Sequence, residues 1–223
     1  MARLPEHLRS TPAGEEKVSR ELLSEHQRER VLAAATPVFA KRGYLGTTVD
    51  DVLAAGKVGV GNFYDLFEGK EDCFLACFER IVGRVRSEMG DATTPVPGWG
   101  ARTYVGLHRL IESILAEPLE ARLVLIEAQS AGHLALGRYN ALLDLTKDWL
   151  QAGRQEYAAA RGLPAGFEQA AVSGLAFYLQ QCLLDSRRHA TSELFGEAAG
   201  LVLEPIVGAE ELRRLRASSA SAV

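Results

Sequence analysis

The chain has 223 residues, 47% of them hydrophobic, and a formal net charge of −4. That length and apolar fraction support one small and one medium domain with real cores, while the acidic balance argues against a protein that coats nucleic acid through bulk charge. No run of about eighteen apolar residues is present to span a membrane, the N-terminus lacks the apolar stretch of a signal peptide, and three cysteines make no disulfide framework, so a cytoplasmic home is expected.

Residues 1–24 mix Pro, Gly, Ser and alternating charges without periodicity, which predicts a mobile extension. Arg3, Arg9, Lys17 and Arg20 are matched there by Glu6, Glu15, Glu16 and Glu21, so the segment is not a basic arm. A first helix is expected from about Ser24 or Glu25 to Arg42, with Val31, Leu32, Ala35, Val38 and Phe39 as its inward stripe. Pro37 removes the bond to the Ala33 carbonyl and predicts a bend. Gly43 reads as a C-cap, after which Tyr44 turns back onto the core.

Thr48 with Asp51 three residues on, followed by Val49 and Val52, predicts a short capped helix. Gly56 and Gly59 bracket Lys57 and Val58 and punctuate it. In the next short helix Phe63 and Phe67 fall one turn apart on an inward face, leaving Tyr64 and Asp65 on another. Two short helices joined by a three- or four-residue turn are the size that lays one helix across DNA and the other into the major groove.

A long helix then runs from Lys70 to about Gly90, with Phe74, Phe78 and Ile81 on one face, until Pro95, Pro97 and Gly98 break it. Further helices are expected at about 100–116, 118–131, 134–161, 165–189 and 191–205, with a short one at 209–216 and a disordered tail over 218–223. No strand-like alternation bounded by turn residues occurs. The expected fold class is all-α, with a helix-turn-helix domain over 25–72 and a helical regulatory and dimerisation domain over 73–217.

The ordered set Val38-Phe39-Ala40, Arg42-Gly43-Tyr44, Thr47-Thr48-Val49, Gly61-x-Phe63-Tyr64-x-x-Phe67 and Gly69-Lys70-Glu71 resembles the DNA-binding end of the TetR family of bacterial transcriptional regulators. The resemblance covers about Gln27 to Asp72; beyond it the chain is similar only in helicity and length. It implies a DNA face made of Thr47, Thr48, Lys57, Val60, Gly61, Asn62, Tyr64 and Lys70. Asn62 can pair with adenine or reach a phosphate, Tyr64 can donate its hydroxyl to phosphate, and Lys70 adds a cation beside a helix N-terminus. Gly61 lets the backbone come close to the groove.

Three positions depart from the family pattern. Lys57 stands where the turn usually places Gly, which predicts a reshaped turn. Val60 replaces a polar base reader and offers only apolar contact, for example with a thymine methyl. Asp65 lies on the side that meets phosphate, and across 25–72 carboxylates outnumber cations.

The same resemblance implies that the second domain dimerises and senses a small molecule. Phe167, Val172, Leu175, Leu179 and Leu183 on one helix and Leu194 and Leu201 on the next are the expected dimer surface, although such stripes also suit an intrachain core. Tyr104, His108, Tyr139, Trp149, Tyr178 and Gln181 are the candidate effector contacts. His108, His133 and His189 stand apart, without metal-ligand spacing. Cys73 and Cys77, one turn apart, are poorly set for a disulfide. No cofactor is implied, since Gly59-Val60-Gly61 is a lone G-x-G without a strand.

The expected function is a homodimeric, ligand-responsive repressor of a near-palindromic DNA operator, released when an effector swings the helix that begins at Lys70. Two other classes compete with it. One is a regulator-like adaptor acting through protein partners; the other is an all-α enzyme, for which Ser130, His133 and Asp144 could be imagined but no nucleophile elbow is present.

Overall fold

A computed structural model describes residues 13–185 and 189–220, with side chains over 24–185 and 189–218. Among these residues every regular element is helical. α1 (Ala13–Arg42) buries Val31, Leu32, Ala35 and Phe39 on the predicted stripe. It starts well before Ser24, so residues 13–24 continue the helix and do not form an irregular extension. Their Glu, Lys, Arg and Leu residues are good helix formers, a signal that the missing apolar stripe conceals. The rest of that expectation, residues 1–12, lies outside the described residues. α1 runs on through Pro37 to Gly43, whose φ of 77° is the left-handed conformation that ends a helix.

α2 (Val49–Gly56) opens with a complete capping box: the Asp51 amide donates to Thr48 Oγ1 at 3.2 Å, and the Thr48 amide donates to Asp51 Oδ2 at 2.9 Å. Its far end divides between two residues what one glycine could do. A Cβ on Gly56 would lie 3.4 Å from Ala34 Cβ, so the small residue lets α2 approach α1. Lys57 takes the left-handed conformation, φ 50° and ψ 48°, and the Val58 amide closes the turn onto the Leu53 carbonyl at 3.1 Å. The turn thus closes through Lys57, which carries the strain of a position that favours glycine.

α3 (Val60–Tyr64) has only five residues, and the burial of Phe63 and Phe67, with ring centroids 5.3 Å apart, holds it in place. α4 (Lys70–Thr93) leads into α5 (Trp99–Ala116) and α6 (Pro118–Leu125). The expected helix over 118–131 stops at Leu125 and continues as a 3-10 turn over Glu127–Gln129. α7 (His133–Glu156), a second 3-10 turn over Ala158–Gly162, α8 (Phe167–Leu184), α9 (Thr191–Val202), the short α10 (Glu204–Val207) and α11 (Ala209–Ala220) complete the order. α11 extends into the expected tail, whose last residues, 221–223, lie outside the described residues.

Two cores form, and they do not follow chain order. The first joins α1–α4 to Leu123, Val124, Ala128, Ala131, Ala135 and Tyr139, so the α6–α7 junction packs into the end formed by the first four helices. The second gathers α5, α8, α9 and α10 around Trp99, Ile111, Leu179, Leu194 and Ile206. Arg80 and Arg84 on α4 reinforce the first, reaching the two carboxylate oxygens of Glu120 on α6 at 3.2 and 2.7 Å. In the second, Arg154 orders the loop before α8: it donates to the carbonyls of Leu163 at 2.8 Å and Pro164 at 2.9 Å and to buried Glu168 at 2.6 Å.

Two outcomes test these local readings. Lys57→Gly should raise stability by about 1 kcal/mol in chemical denaturation, because glycine adopts the left-handed turn without the steric cost; Lys57→Ala should give no gain. The Arg154 bond holds the Glu168 carboxyl below the usual range. A depressed carboxylate contributes stability that is present above its unfolded value and is lost as pH falls through its folded value. Melting temperatures followed from neutral pH into the acid range should therefore fall less steeply for Glu168→Gln than for the parent, from a lower start.

Candidate nucleic-acid interface

With Phe63 turned inward, α3 presents Val60, Gly61, Asn62, Tyr64 and Asp65 to solvent, Tyr64 at 56% exposure. Thr48 and Lys57 are also exposed at the start and end of α2. These side chains offer an apolar contact, an amide able to pair with an adenine edge, a phenol and a cation on one short segment, the set needed to combine base and phosphate contacts. Leu45 in the α1–α2 loop is the most exposed large apolar residue among those described, and sequence reasoning gave it no role. Its only signal was an apolar residue lying between two helical patterns.

Two expected DNA contacts are placed differently. Thr47 is 1% exposed, and its hydroxyl donates to the Gly43 carbonyl at 2.7 Å, closing the loop instead of facing outward. Lys70 turns its ammonium onto the same loop, donating to the carbonyls of Tyr44 at 3.0 Å and Thr47 at 2.9 Å and lying 4.2 Å from the Tyr44 ring centroid. Two of its three donors are thereby occupied. The cause is tertiary: the end of α1 and the start of α4 converge on one loop whose carbonyls need partners.

The electrostatics of this segment are unusual for a phosphate-facing surface. Residues 47–72 carry two lysines against six carboxylates. Asp51 is held below the usual carboxylate range by hydrogen bonds from Thr48, and it pairs with Arg42. Asp72 accepts from the Glu68 amide at 3.0 Å. Asp65 is exposed, and no cation among the described residues pairs with it.

In the second core the expected dimer residues divide. Val172, Leu175, Leu179 and Leu194 are buried within the chain's own core, and Phe167 and Leu183 pack against it. Only Leu201 of that set is exposed. The outward face of α8 is instead Ala170, Ser173, Phe177, Gln181 and Leu184, with Phe177 61% exposed. Because α8 is apolar on both sides, its sequence stripe does not say which side turns in.

The candidate effector contacts do not converge. Tyr104 and His108 pack on the Phe195 ring at 4.8 and 5.0 Å, whereas Tyr139 belongs to the first core and accepts from Gln180 at 3.2 Å. Trp149 donates to Thr103 Oγ1 at 2.8 Å and stacks on Trp99. Burial pushes the Tyr178 hydroxyl up to about 12, and Gln181 lies on the outward face of α8. A cleft of about 350 Å³ between α1 and α2 has Pro37, Val38 and Lys41 among its lining residues and none of these candidates.

The remaining candidates are engaged elsewhere. Cys73 and Cys77 are buried core thiols. Ser130 donates to the Glu127 carbonyl at 3.1 Å, and Asp144 pairs with Lys147 at 2.7 Å. The described residues contain no cluster of His, Cys, Asp and Glu that could hold a metal ion, and no helix among them is long and apolar enough to cross a membrane.

Residues 31–77 match the family model described as bacterial regulatory proteins, tetR family. The uncharacterized HTH-type transcriptional regulator YhgD of Bacillus subtilis (strain 168) is 29% identical over 93 residues, 42% of this chain and 47% of that protein. The HTH-type transcriptional repressor DhaR of Mycobacterium sp. (strain GP1) is 35% identical over 72 residues, 30% of this chain and 36% of that protein. The chain thus spans less than half the length of these curated relatives. Among solved structures, the fatty acid degradation regulator FadR from Bacillus halodurans superposes with a TM-score of 0.68 at 18% identity, over 79% of this chain and 94% of that one. FadR from Bacillus subtilis in complex with stearoyl-CoA gives 0.66 at 16% identity, over 81% and 98%. AibR in complex with isovaleryl coenzyme A and operator DNA gives 0.64 at 15%, over 79% and 98%. The helix-turn-helix match and the shared fold lead to one conclusion: residues 31–77 are similar to the helix-turn-helix of the bacterial regulatory proteins of the tetR family, on a chain whose fold is shared with solved regulators of that type.

Proposed function

We propose that the protein is a ligand-responsive, sequence-specific DNA-binding transcriptional regulator, a repressor released from its operator by a small molecule. The observation that carries this reading is α3: a helix of five residues pinned by Phe63 and Phe67 so that Val60, Gly61, Asn62 and Tyr64 face outward together. In the working form two copies pair through Phe177 and Leu184 of α8 and Leu201 of α9, the large apolar residues that these two helices leave exposed. A twofold dimer offers its recognition helices to successive major grooves, so the operator is a near-palindrome. The ligands named for the B. subtilis FadR and AibR structures make acyl-coenzyme A thioesters the first effector class to test. The acidic helix-turn-helix supports a second reading, an adaptor that uses the same fold against a protein partner.

Selecting bound duplexes from a random-sequence pool decides between the two readings: a regulator enriches a near-palindrome, and an adaptor enriches nothing. On the selected site Tyr64→Phe should weaken binding by about 1 kcal/mol with an unchanged circular dichroism spectrum. Asp65→Asn should tighten binding to selected and random duplexes alike by a few-fold at low salt, with the gain shrinking as salt rises; a lower melting temperature without tighter binding would mean that the carboxylate orders the headpiece.

Assembly has its own test. Phe177→Glu should give a folded monomer in light scattering, because the new charge meets its symmetry mate across an apolar surface. A dimer that survives Phe177→Glu would move the interface to another face. Leu179→Glu cannot serve here, because Leu179 is 3% exposed within its own chain and the change would damage the core.

A further inference from the structure

The loop that opens the helix-turn-helix is held from two sides. From α4, Lys70 holds the carbonyls of Tyr44 and Thr47. From the 3-10 turn after α6, Glu127 accepts a hydrogen bond from the Tyr44 amide at 3.0 Å, a contact across 83 positions of chain. The fit around this carboxylate is close. A Cβ on Gly43 would stand 3.2 Å from Glu127 Oε2, Arg122 lies 3.7 Å from Oε1, and the residue is 7% exposed.

A second carboxylate crosses the same junction in the opposite sense. Glu71, in the first turn of α4, sits against Gly132, the residue that precedes α7; its Oε1 is buried without a hydrogen-bond partner and would lie 2.9 Å from a Cβ placed there. Gly132 is the N-cap of α7, so this carboxylate lies at the end of a helix whose field favours negative charge.

The segment between these contacts is anchored on its other side as well. Ala128 and Ala131 are fully buried in the first core, and Gln180 on α8 donates to the Leu125 carbonyl at 2.9 Å and to the Tyr139 hydroxyl. Residues 125–132 therefore touch α8 at one end and the entry to the helix-turn-helix at the other. The segment cannot shift alone. Either the Tyr44 bond breaks, leaving the amide and Oε2 of a buried carboxylate without each other, or the loop moves with it.

We propose that Glu127 is a positioning residue for DNA binding: its carboxylate fixes the 43–48 loop and through it α2 and α3, so that the state of the C-terminal domain reaches the recognition helix through residues 125–132 as well as through α4. The proposal rests on the DNA-binding reading. It predicts that a change at α6–α7 alters DNA affinity without any change in the side chains that face DNA.

The test compares Glu127→Ala with Glu127→Gln, using a duplex selected by the wild-type protein and amide hydrogen exchange followed residue by residue. In Glu127→Ala the Tyr44 amide should exchange about tenfold faster while α8 amides keep their rates, and DNA affinity should fall about fivefold. Glu127→Gln keeps an acceptor for the amide and should stay within about twofold of wild type in both measurements. Should Glu127→Ala fail to fold, Arg122→Met carries the test, since it leaves the carboxylate but removes the guanidinium beside it; both quantities should move in the same direction. Fast Tyr44 exchange with wild-type DNA affinity would overturn the proposal, as would equal losses for the alanine and glutamine variants. A wild-type protein that selects no duplex would defeat the DNA-binding reading instead, while the exchange comparison would still show whether Glu127 holds the loop.

Discussion

Five residues cannot hold a helix in water, because the nucleus costs more than one turn of hydrogen bonds returns. α3 exists because Phe63 and Phe67 are driven into the core formed by Val31, Leu32, Phe39, Val52 and Phe74. Everything proposed for the DNA-facing surface depends on that burial. It fixes which side of the helix is hidden, and so which of Val60, Asn62, Tyr64 and Asp65 meets solvent. The turn before it tolerates a strained Lys57 for the same reason, since core packing holds both flanking helices in place.

Charge in this part of the molecule is arranged by the needs of the backbone before those of a ligand. Lys70 serves two loop carbonyls, Asp51 and Thr48 cap α2, Arg42 pairs with Asp51, and Asp72 serves the Glu68 amide. What is left for an outside partner includes Lys57, the amide of Asn62, the phenol of Tyr64 and the carboxylate of Asp65, which pairs with no cation among the described residues, together with the exposed Arg30 and Lys41 of α1. A surface so composed gains little from nonspecific attraction to phosphate, so any preference it has for a DNA sequence depends heavily on shape and base-edge contacts.

The two cores give the molecule its internal connections. Had the first core closed on α1–α4 alone, the helix-turn-helix would be joined to the rest only through α4. Instead Leu123, Val124, Ala128 and Ala131 complete it, and the Arg80–Arg84–Glu120 network and the Glu127–Tyr44 bond tie the same segment by polar contacts. Packed interiors shift between discrete arrangements more readily than they stretch, so a movement at this junction is felt on both sides.

The sequence by itself determined the helical class, most helix starts after α1, the Thr48–Asp51 cap, the Gly43 stop and the inward turn of Phe63 and Phe67. These follow from local periodicity and from backbone groups satisfied within a few residues. It also carried the family resemblance, since the matching side chains lie in one continuous stretch. Tertiary structure alone decided where Thr47 and Lys70 point, because their partners are carbonyls of a loop shaped by two helices distant in sequence. It likewise decided that Leu179 faces in and Phe177 faces out, a choice hidden in a helix that is apolar on both sides. Glu127 carried no signal at all: a lone carboxylate in a polar stretch becomes a buried link only when folding brings it to the Tyr44 amide, and no local pattern records a contact made across that distance in the chain.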